Sequence, residues 1–220
     1  MKESRSDPAY GRTNWRRFAV SIGVPLAVAA GLVVALEQGA IAASFQVSGQ
    51  DFKLSADHLH GDGFTQYTDV LSQTTKGDVP GHKVTAMSGI GNAEITNLCQ
   101  TVKGPSPFGG DVVMRIEAGK GPNKEDHVTA DHLLIGMSDL KGDTTFHTIQ
   151  IGVDSSTMNV DDADTHGQVG GFGQQANSVD IDHLQQTATY TSAGEFKLTG
   201  MKLHLYVGGD ATSHECFPGD

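Results

Sequence analysis

Apolar and polar residues alternate along much of the chain after residue 43, and this alternation restricts the fold more than any other feature. Val112, Met114 and Ile116 take one side of the pattern, while Arg115 and Glu117 take the other. The same alternation recurs in 45–47, 52–56, 149–153 and 203–207. Because successive side chains of a strand point to opposite faces, a period of two predicts β-strands with one buried face.

Glycine-rich segments separate these runs, at 61–63, 104–110, 119–122 and 170–173. Beyond the N-terminal region, no stretch keeps a helical apolar period over three turns. The sequence therefore predicts an all-β fold. We expect an antiparallel, elongated or curled sheet or sandwich of about ten short strands, after one N-terminal apolar helix.

Four tetrapeptides share one pattern, in which an apolar residue is followed by a polar residue, then His or Asn, then Leu. They are Ala56–Leu59, Ile95–Leu98, Ala130–Leu133 and Ile181–Leu184. A second pattern of Leu, a basic residue, Gly, Asp and a nearby Phe links Leu59–Phe64 with Leu140–Phe146. The irregular spacing argues against a strict solenoid. Repeated strand-turn units and chance recurrence in a biased composition stay open as explanations.

The N-terminal region has a different character, with the uncharged apolar run Phe18–Leu36 behind Arg12, Arg16 and Arg17. At about 1.5 Å per residue, a helix of this length is close to the ~30 Å hydrocarbon thickness of a bilayer. The length favours an uncleaved anchor, whereas the small residues of Ala40–Ala42 favour cleavage of a signal peptide. In both cases the arginines stay inside and the rest of the chain is exported.

We therefore expect three parts along the chain. Residues 1–17 form a cytoplasmic basic tail, residues 18–42 a transmembrane anchor or signal peptide, and residues 43–220 an extracytoplasmic β-rich domain. The mature protein is then either anchored in the cell membrane or secreted. If the segment is uncleaved, the membrane is a partner through residues 18–36.

The exported part is strongly acidic. Five of the 15 basic and three of the 26 acidic residues precede residue 43, so the remainder has a formal charge of about −13. Such a charge repels phosphate backbones, which argues against a nucleic-acid partner. It also favours solubility and attracts cations or basic partners.

Cys99 and Cys216 are the only cysteines of the chain. In an exported domain, two cysteines predict a disulfide, since the compartment is oxidising. The alternative, a thiol nucleophile, lacks a neighbouring base or a Cys-x-x-Cys motif. We expect the disulfide to hold the C-terminal end of the chain.

Two segments carry residue types that bind metals. His58 and His60 would project from one face of a strand, with Asp57 and Asp62 beside them, as in a zinc site that takes a third ligand from another strand. A calcium loop is the second candidate, because four carboxylates crowd the segment that contains Asp154, Asp161, Asp162 and Asp164. However, this loop departs from an EF-hand, since Gly173 stands where the bidentate Glu belongs. Exposed polar strand ends and a plain acidic loop are the alternatives.

The whole chain resembles a family of uncharacterised actinobacterial exported proteins. The residues that carry the likeness are Trp15–Phe18, Gln38–Phe45, Ser55–Asp57 with Gly61-x-Gly63-Phe64, Thr96–Gln100 and Phe172–Ala176. Members are often labelled cholesterol esterase by automatic transfer, and the resemblance implies export and a common fold but no catalytic residues.

The esterase label finds little support in the residues themselves. A lipase-type serine stands in Gly-x-Ser-x-Gly on a strand-to-helix turn, and the nearest imitation, at Ser88, has Ala86 in place of the first glycine. We therefore expect a non-enzymatic surface domain with a structural, lipid-binding or self-assembling role. A lipid-ester hydrolase and a metal-binding surface protein are the alternatives, and a lipid ligand or a homo-oligomer is the expected partner.

Overall fold

The computed structural model describes residues 46–47, 50–73, 81–106, 110–160, 165–208 and 211–218. The expected tail and apolar helix at 1–42 lie outside these residues. Within the described ranges no helix reaches the length and apolarity that crossing a membrane requires.

The described residues form one sheet of ten strands, without an α-helix. The strands are β1 (Gln46–Val47), β2 (Phe52–Gln73), β3 (Gly81–Thr96), β4 (Leu98–Pro105), β5 (Asp111–Ala118), β6 (Val128–His147), β7 (Gln150–Asp154), β8 (Phe172–Ser192), β9 (Glu195–Lys197) and β10 (Lys202–Val207). Short 3-10 turns occur at Lys124–Asp126, Ser155–Thr157 and Ala211–His214. The pairings are antiparallel, except that β1 runs parallel to β2.

The predicted all-β, antiparallel class is confirmed, and ten strands are present among the described residues, but four of them are longer than expected. β2, β3, β6 and β8 contain 16 to 22 residues each. The break predicted at 61–63 is wrong, because these residues lie inside β2. Gly61 faces the core there, where an added Cβ would stand 2.7 Å from Ile90 Cγ2.

These four long strands close on themselves. β2 pairs with β3, β3 with β6, β6 with β8, and β8 with β2 over Phe52–Ala56. The apolar faces of the ring enclose the main core, which includes Leu59, Ile90, Leu133, Val179 and Leu184. A smaller cluster around Tyr67, Leu71, Met87 and Met158 fills another part of the interior.

The four tetrapeptides are distributed evenly over this ring. One lies in β2, one joins β3 to β4, one lies in β6 and one in β8. In each, the first residue and the leucine are both buried (Ala56 with Leu59, Ile95 with Leu98, Ala130 with Leu133, Ile181 with Leu184). Two residues three positions apart would face opposite sides of a regular strand, so the backbone must bend between them.

The bend has a recurring backbone cause. Asn97, His132 and His183, each third in its tetrapeptide, have φ of 51°, 52° and 55°. A residue in this left-handed conformation inserts one extra position and returns the next side chain to the core. His58 holds the same place in β2 without a positive φ. The structure thus favours repeated units over chance recurrence.

A three-stranded extension, which we call the wing, continues the sheet beyond β2. It consists of β4, β5 and β10, with β4 paired to Phe52–Ser55 and β10 as the last strand. The wing has two faces of different character, and both concern the candidate site.

Candidate functional site

One face of the wing, the open face, is apolar and exposed. Leu203, Leu205 and Val207 of β10 lie opposite Ile116, Met114 and Val112 of β5, and Val102 of β4 follows in the next row. The alternation predicted this face, but not its exposure: Leu203, Leu205 and Val207 are 52%, 61% and 59% exposed. Clustered large apolar side chains at such exposure are uncommon on a monomeric protein and mark interaction surfaces.

A groove runs along the inner part of the open face. Its volume is about 480 Å³, and it is lined by Gln50, Val102, Lys103, Gly104, Pro105, Val112 and Met114. Gly104 contributes no side chain to the groove, and the space beside it is empty, because an added Cβ there would meet nothing within 4 Å. A volume of this size and an apolar lining suit an alkyl chain better than a polar metabolite.

The opposite face of the wing is covered by the C-terminal residues 211–218. The predicted disulfide is confirmed, with Cys99 in β4 bonded to Cys216 at a Cα–Cα distance of 5.8 Å. Tyr206 stacks on His214 with ring centroids 3.8 Å apart, and Lys53 Nζ binds Glu215 Oε2 at 2.9 Å. Covering one face while leaving the other bare gives the wing a defined binding side.

A polar cavity of about 320 Å³ lies beside the disulfide, with Arg115, Glu117, Lys120 and His183 among its lining residues. Its charges are mutually satisfied, since Arg115 Nη2 and Lys120 Nζ approach Glu117 at 2.7 and 2.9 Å. Hydrogen bonds from Lys120 and Arg115 lower the pKa of Glu117. Asp57 also lines the cavity, so two carboxylates balance the two cations and no strong net charge is offered to a ligand.

A second feature, the histidine–aspartate seam, joins β2 to β8. Backbone pairing of these strands ends at Ala56 and Leu184. Beyond that point the same register continues through side chains, because His58 Nδ1 lies 2.7 Å from Asp182 Oδ1 and His60 Nδ1 lies 2.7 Å from Asp180 Oδ1. The seam therefore continues the contact between the two strands beyond their last backbone pair, Ala56 with Leu184.

Asp180 is the centre of the seam. Its Oδ2 accepts from His147 Nε2 of β6 at 3.1 Å, and His58 Nε2 lies 3.7 Å from its Oδ1. The hydrogen bond to Asp180 raises the pKa of His60, and the charges of Asp180, Asp62 and Glu94 act in the same direction. Conversely, the hydrogen bond from His60 holds the pKa of Asp180 below its usual value.

The structure brings only part of the predicted zinc set together. His60 Nε2 lies 3.6 Å from Asp62 Oδ1, but Asp57 accepts instead from Asn97 Nδ2 at 3.0 Å. Among the residues with described positions, no group of three or more His, Cys, Asp or Glu is arranged to hold a metal ion. The zinc site stays a prediction.

The predicted calcium loop can be followed only at Asp154. Its carboxylate accepts from the backbone N–H of Ser156 at 3.0 Å and of Gly170 at 2.9 Å, which caps the 3-10 turn Ser155–Thr157. The hydrogen bonds of Ser156 lower the pKa of Asp154. Asp161, Asp162 and Asp164 lie outside the described residues, so the calcium site also stays a prediction.

Ser88, the nearest imitation of a lipase serine, lies inside β3 and is 2% exposed. Its Oγ accepts a hydrogen bond from Gln66 Nε2 at 3.0 Å. A serine in the middle of a paired strand lacks the exposed strand-to-helix turn that presents a lipase nucleophile to substrate. Ser88 is therefore a poor candidate for acyl transfer.

Sequence reasoning missed Asp180 and His147. The sequence contained one signal that pointed to Asp180. Asp180 and Asp182 alternate along β8 in the same way as His58 and His60 alternate along β2. The exposure of β10 also had a signal, since no acidic residue occurs between Gly200 and Gly208 in a strongly acidic domain.

Comparison with known proteins identifies a family but no activity. A family described as "Family of unknown function (DUF6230)" matches residues 48–217. No curated protein and no solved structure matches the chain. The match spans the ring and the wing, including both cysteines.

Proposed function

The chain belongs to this family of unknown function, DUF6230, and we propose that it is an exported protein whose β-domain binds lipid acyl chains on the open face of the wing. The observation that carries the proposal is the row of Leu203, Leu205 and Val207, all more than half exposed beside an apolar groove.

Burial of this face would release a considerable amount of free energy. Covering one exposed leucine or valine side chain contributes about 1.5 to 3 kcal/mol when burial is complete. Leu203, Leu205 and Val207 are 52%, 61% and 59% exposed, so covering them contributes about 3 to 5 kcal/mol, and the apolar groove lining adds to this. Methylene chains match such a surface because they bring no polar groups that would lose water.

The Cys99–Cys216 disulfide supports an exported location, because disulfides are typical of oxidising compartments outside the cytoplasm. The apolar run Phe18–Leu36 behind Arg12, Arg16 and Arg17 also supports it, since such a segment directs the rest of a chain across the membrane.

Native mass spectrometry of the purified full chain tests the proposal. We expect co-purified lipid on the wild-type protein and its loss from a Leu203→Asn, Leu205→Asn double variant. The matched control is Ile151→Asn with Val169→Asn, since these two side chains are 66% and 87% exposed but lie outside the wing. Equal lipid occupancy in both double variants would contradict the assignment to the open face.

A lipid-ester hydrolase, implied by the resemblance to proteins labelled cholesterol esterase, and a metal-binding surface protein are the alternatives. Incubation with short- and long-chain p-nitrophenyl esters separates hydrolysis from binding. Turnover above a serine-inhibited control would favour the hydrolase. Bound zinc or calcium in the same mass spectra would favour the metal-binding role, through His58 and His60 or through the loop at Asp154.

A further inference from the structure

The two ends of the sheet differ in how well they resist pairing with another strand. β7, at one end, contains a register shift between Ile151 and Val153, and Gly152 there has φ of 83°. β10, at the other end, pairs with β5 over all six residues without a shift. Bulges protect edge strands from association, and a regular apolar edge lacks that protection.

The direction of the β10 amides follows from one hydrogen bond. Gly208 N donates to Asp111 O at 3.0 Å, at the position that continues the β10–β5 register. Inward and outward amides alternate along an antiparallel strand, so Lys202, His204 and Tyr206 share the inward direction. The N–H and C=O groups of Leu203, Leu205 and Val207 therefore point away from β5. Among the described strands, β5 is the only neighbour of β10.

We propose that β10 pairs with β10 of a second copy of this chain, in an antiparallel two-fold arrangement centred on Leu205. Leu205 then lies opposite the partner's Leu205, and Leu203 lies opposite the partner's Val207. Each of the three outward pairs exchanges two backbone hydrogen bonds, giving about six in total. The apolar side chains of both strands share one face, so the two open faces become continuous.

Charge favours this edge over the rest of the acidic surface. Lys202 is the only Lys, Arg, Asp or Glu within β10, and the two-fold arrangement places it opposite the partner's Gly208 rather than the partner's Lys202. The carboxylates of the neighbouring strand are paired, Asp111 with Lys103 at 2.9 Å and Glu117 with Arg115 at 2.7 Å. Two copies can thus meet here without facing uncompensated carboxylates.

Dimerisation through β10 depends on different atoms from lipid binding, namely the edge amides instead of the apolar side chains. Leu205→Pro and Leu205→Ala form a matched pair of variants. Both remove the leucine side chain, but only proline also removes the outward N–H, and it does so without breaking a hydrogen bond to β5. Loss of two symmetry-related hydrogen bonds should weaken dimerisation about 30-fold in the proline variant relative to alanine.

The measurement uses the full chain, with dimer fraction determined by sedimentation and folding checked by thermal melting. Equal dimer fractions in Leu205→Pro and Leu205→Ala would overturn the proposal. If the proline variant does not fold, chemical cross-linking of cysteine variants tests the dimer instead. Leu205→Cys should be joined to a dimer by a short bismaleimide, whereas Ile151→Cys on β7 should stay monomeric.

The native cysteines do not interfere with the cross-linking, because they are bonded to each other. Cross-linking at position 151 equal to that at position 205 would indicate non-specific association, for instance through residues 18–36, and would also overturn the proposal. Lipid occupancy is recorded on the same samples. A wild-type protein that is monomeric but carries lipid would contradict only the proposed dimer. A wild-type protein that is dimeric but carries no lipid would contradict only the proposed lipid binding.

Discussion

His60 faces Asp180 across a seam in which β2 and β8 no longer share backbone hydrogen bonds, and its Nδ1 donates to Asp180 Oδ1 over 2.7 Å. The pair continues the register set by Phe52 and Ala188. Side-chain contacts thus extend the closure of the ring beyond the backbone pairing of Phe52–Ala56 with β8.

The His60–Asp180 pair predicts a pH-dependent contribution to stability. The pKa of His60 is raised, so its contribution is complete below the unfolded value of about 6.5 and is lost as pH rises through the folded value. The pKa of Asp180 is lowered from 3.8, so its contribution is lost as pH falls through the folded value. The pair is therefore strongest at about pH 4 to 6.5.

We expect His60→Gln to destabilise the protein more at pH 5.5 than at pH 9. Because the His60 side chain is 41% exposed, solvent screening limits the difference to about 1 kcal/mol or less. Urea unfolding at the two pH values measures it. His183→Asn is the control, since His183 and Asp143 are more than four-fifths exposed and an ion pair so exposed contributes little to stability. A larger effect of His60→Gln at pH 9 would contradict the assignment.

The bend at His183 predicts that glycine is tolerated there better than alanine. His183 has φ of 55°, where a side chain costs about 1 kcal/mol, so His183→Gly should leave the free energy of unfolding unchanged or raise it. His183→Ala, which loses the same imidazole but keeps a Cβ in the left-handed conformation, should lower it by about 1 kcal/mol relative to His183→Gly. Thermal melting of both variants provides the comparison. Equal losses would mean that the left-handed backbone is not what the repeat encodes.

Close packing in the ring predicts that Gly61 cannot carry a side chain. An added Cβ would stand 2.7 Å from Ile90 Cγ2, so Gly61→Ala should cost about 1 to 3 kcal/mol. Gly104→Ala, where a Cβ would meet nothing within 4 Å, should be neutral within about 0.5 kcal/mol. Chemical denaturation distinguishes the two, and a neutral Gly61→Ala would show that the core is looser than described.

The disulfide predicts a large stability loss on removal. Cys99 and Cys216 are 117 positions apart, and a loop of that length corresponds to about 5 kcal/mol in the chain-entropy model. The Cys99→Ser, Cys216→Ser double variant should therefore melt well below the wild type. Mild reduction of the wild type should reproduce the shift. If neither treatment changes the melting temperature, the C-terminal residues contribute little to the fold.

The alternation in the sequence predicted the faces of β5 and β10 correctly, because side-chain direction is a local property. Met114 and Leu205 were placed on apolar faces, as observed. Whether such a face is covered depends on what packs against it, and no local pattern reports that. Leu205 and Leu54 both stand in alternating runs, yet Leu205 is 61% exposed and Leu54 is 5% exposed.

The seam could not be predicted for a related reason. His58 and His60 were recognised as two side chains on one face, but their partners lie 120 and more residues away in β8. Matching the two pairs requires the β2–β8 register, which the closure of the ring determines. The backbone bends were equally hidden, since His58 and His183 share a sequence pattern but differ in φ.

Proximity between the open face and acyl chains tests the central claim most directly. A fluorescent probe attached at Met114→Cys, in the groove, reports contact with lipids whose acyl chains carry bromine, a short-range quencher. After reconstitution of the full chain into such vesicles, we expect strong quenching at position 114 and little at an Ile151→Cys probe. Equal quenching at the two positions, or none at 114, would contradict lipid binding by the wing.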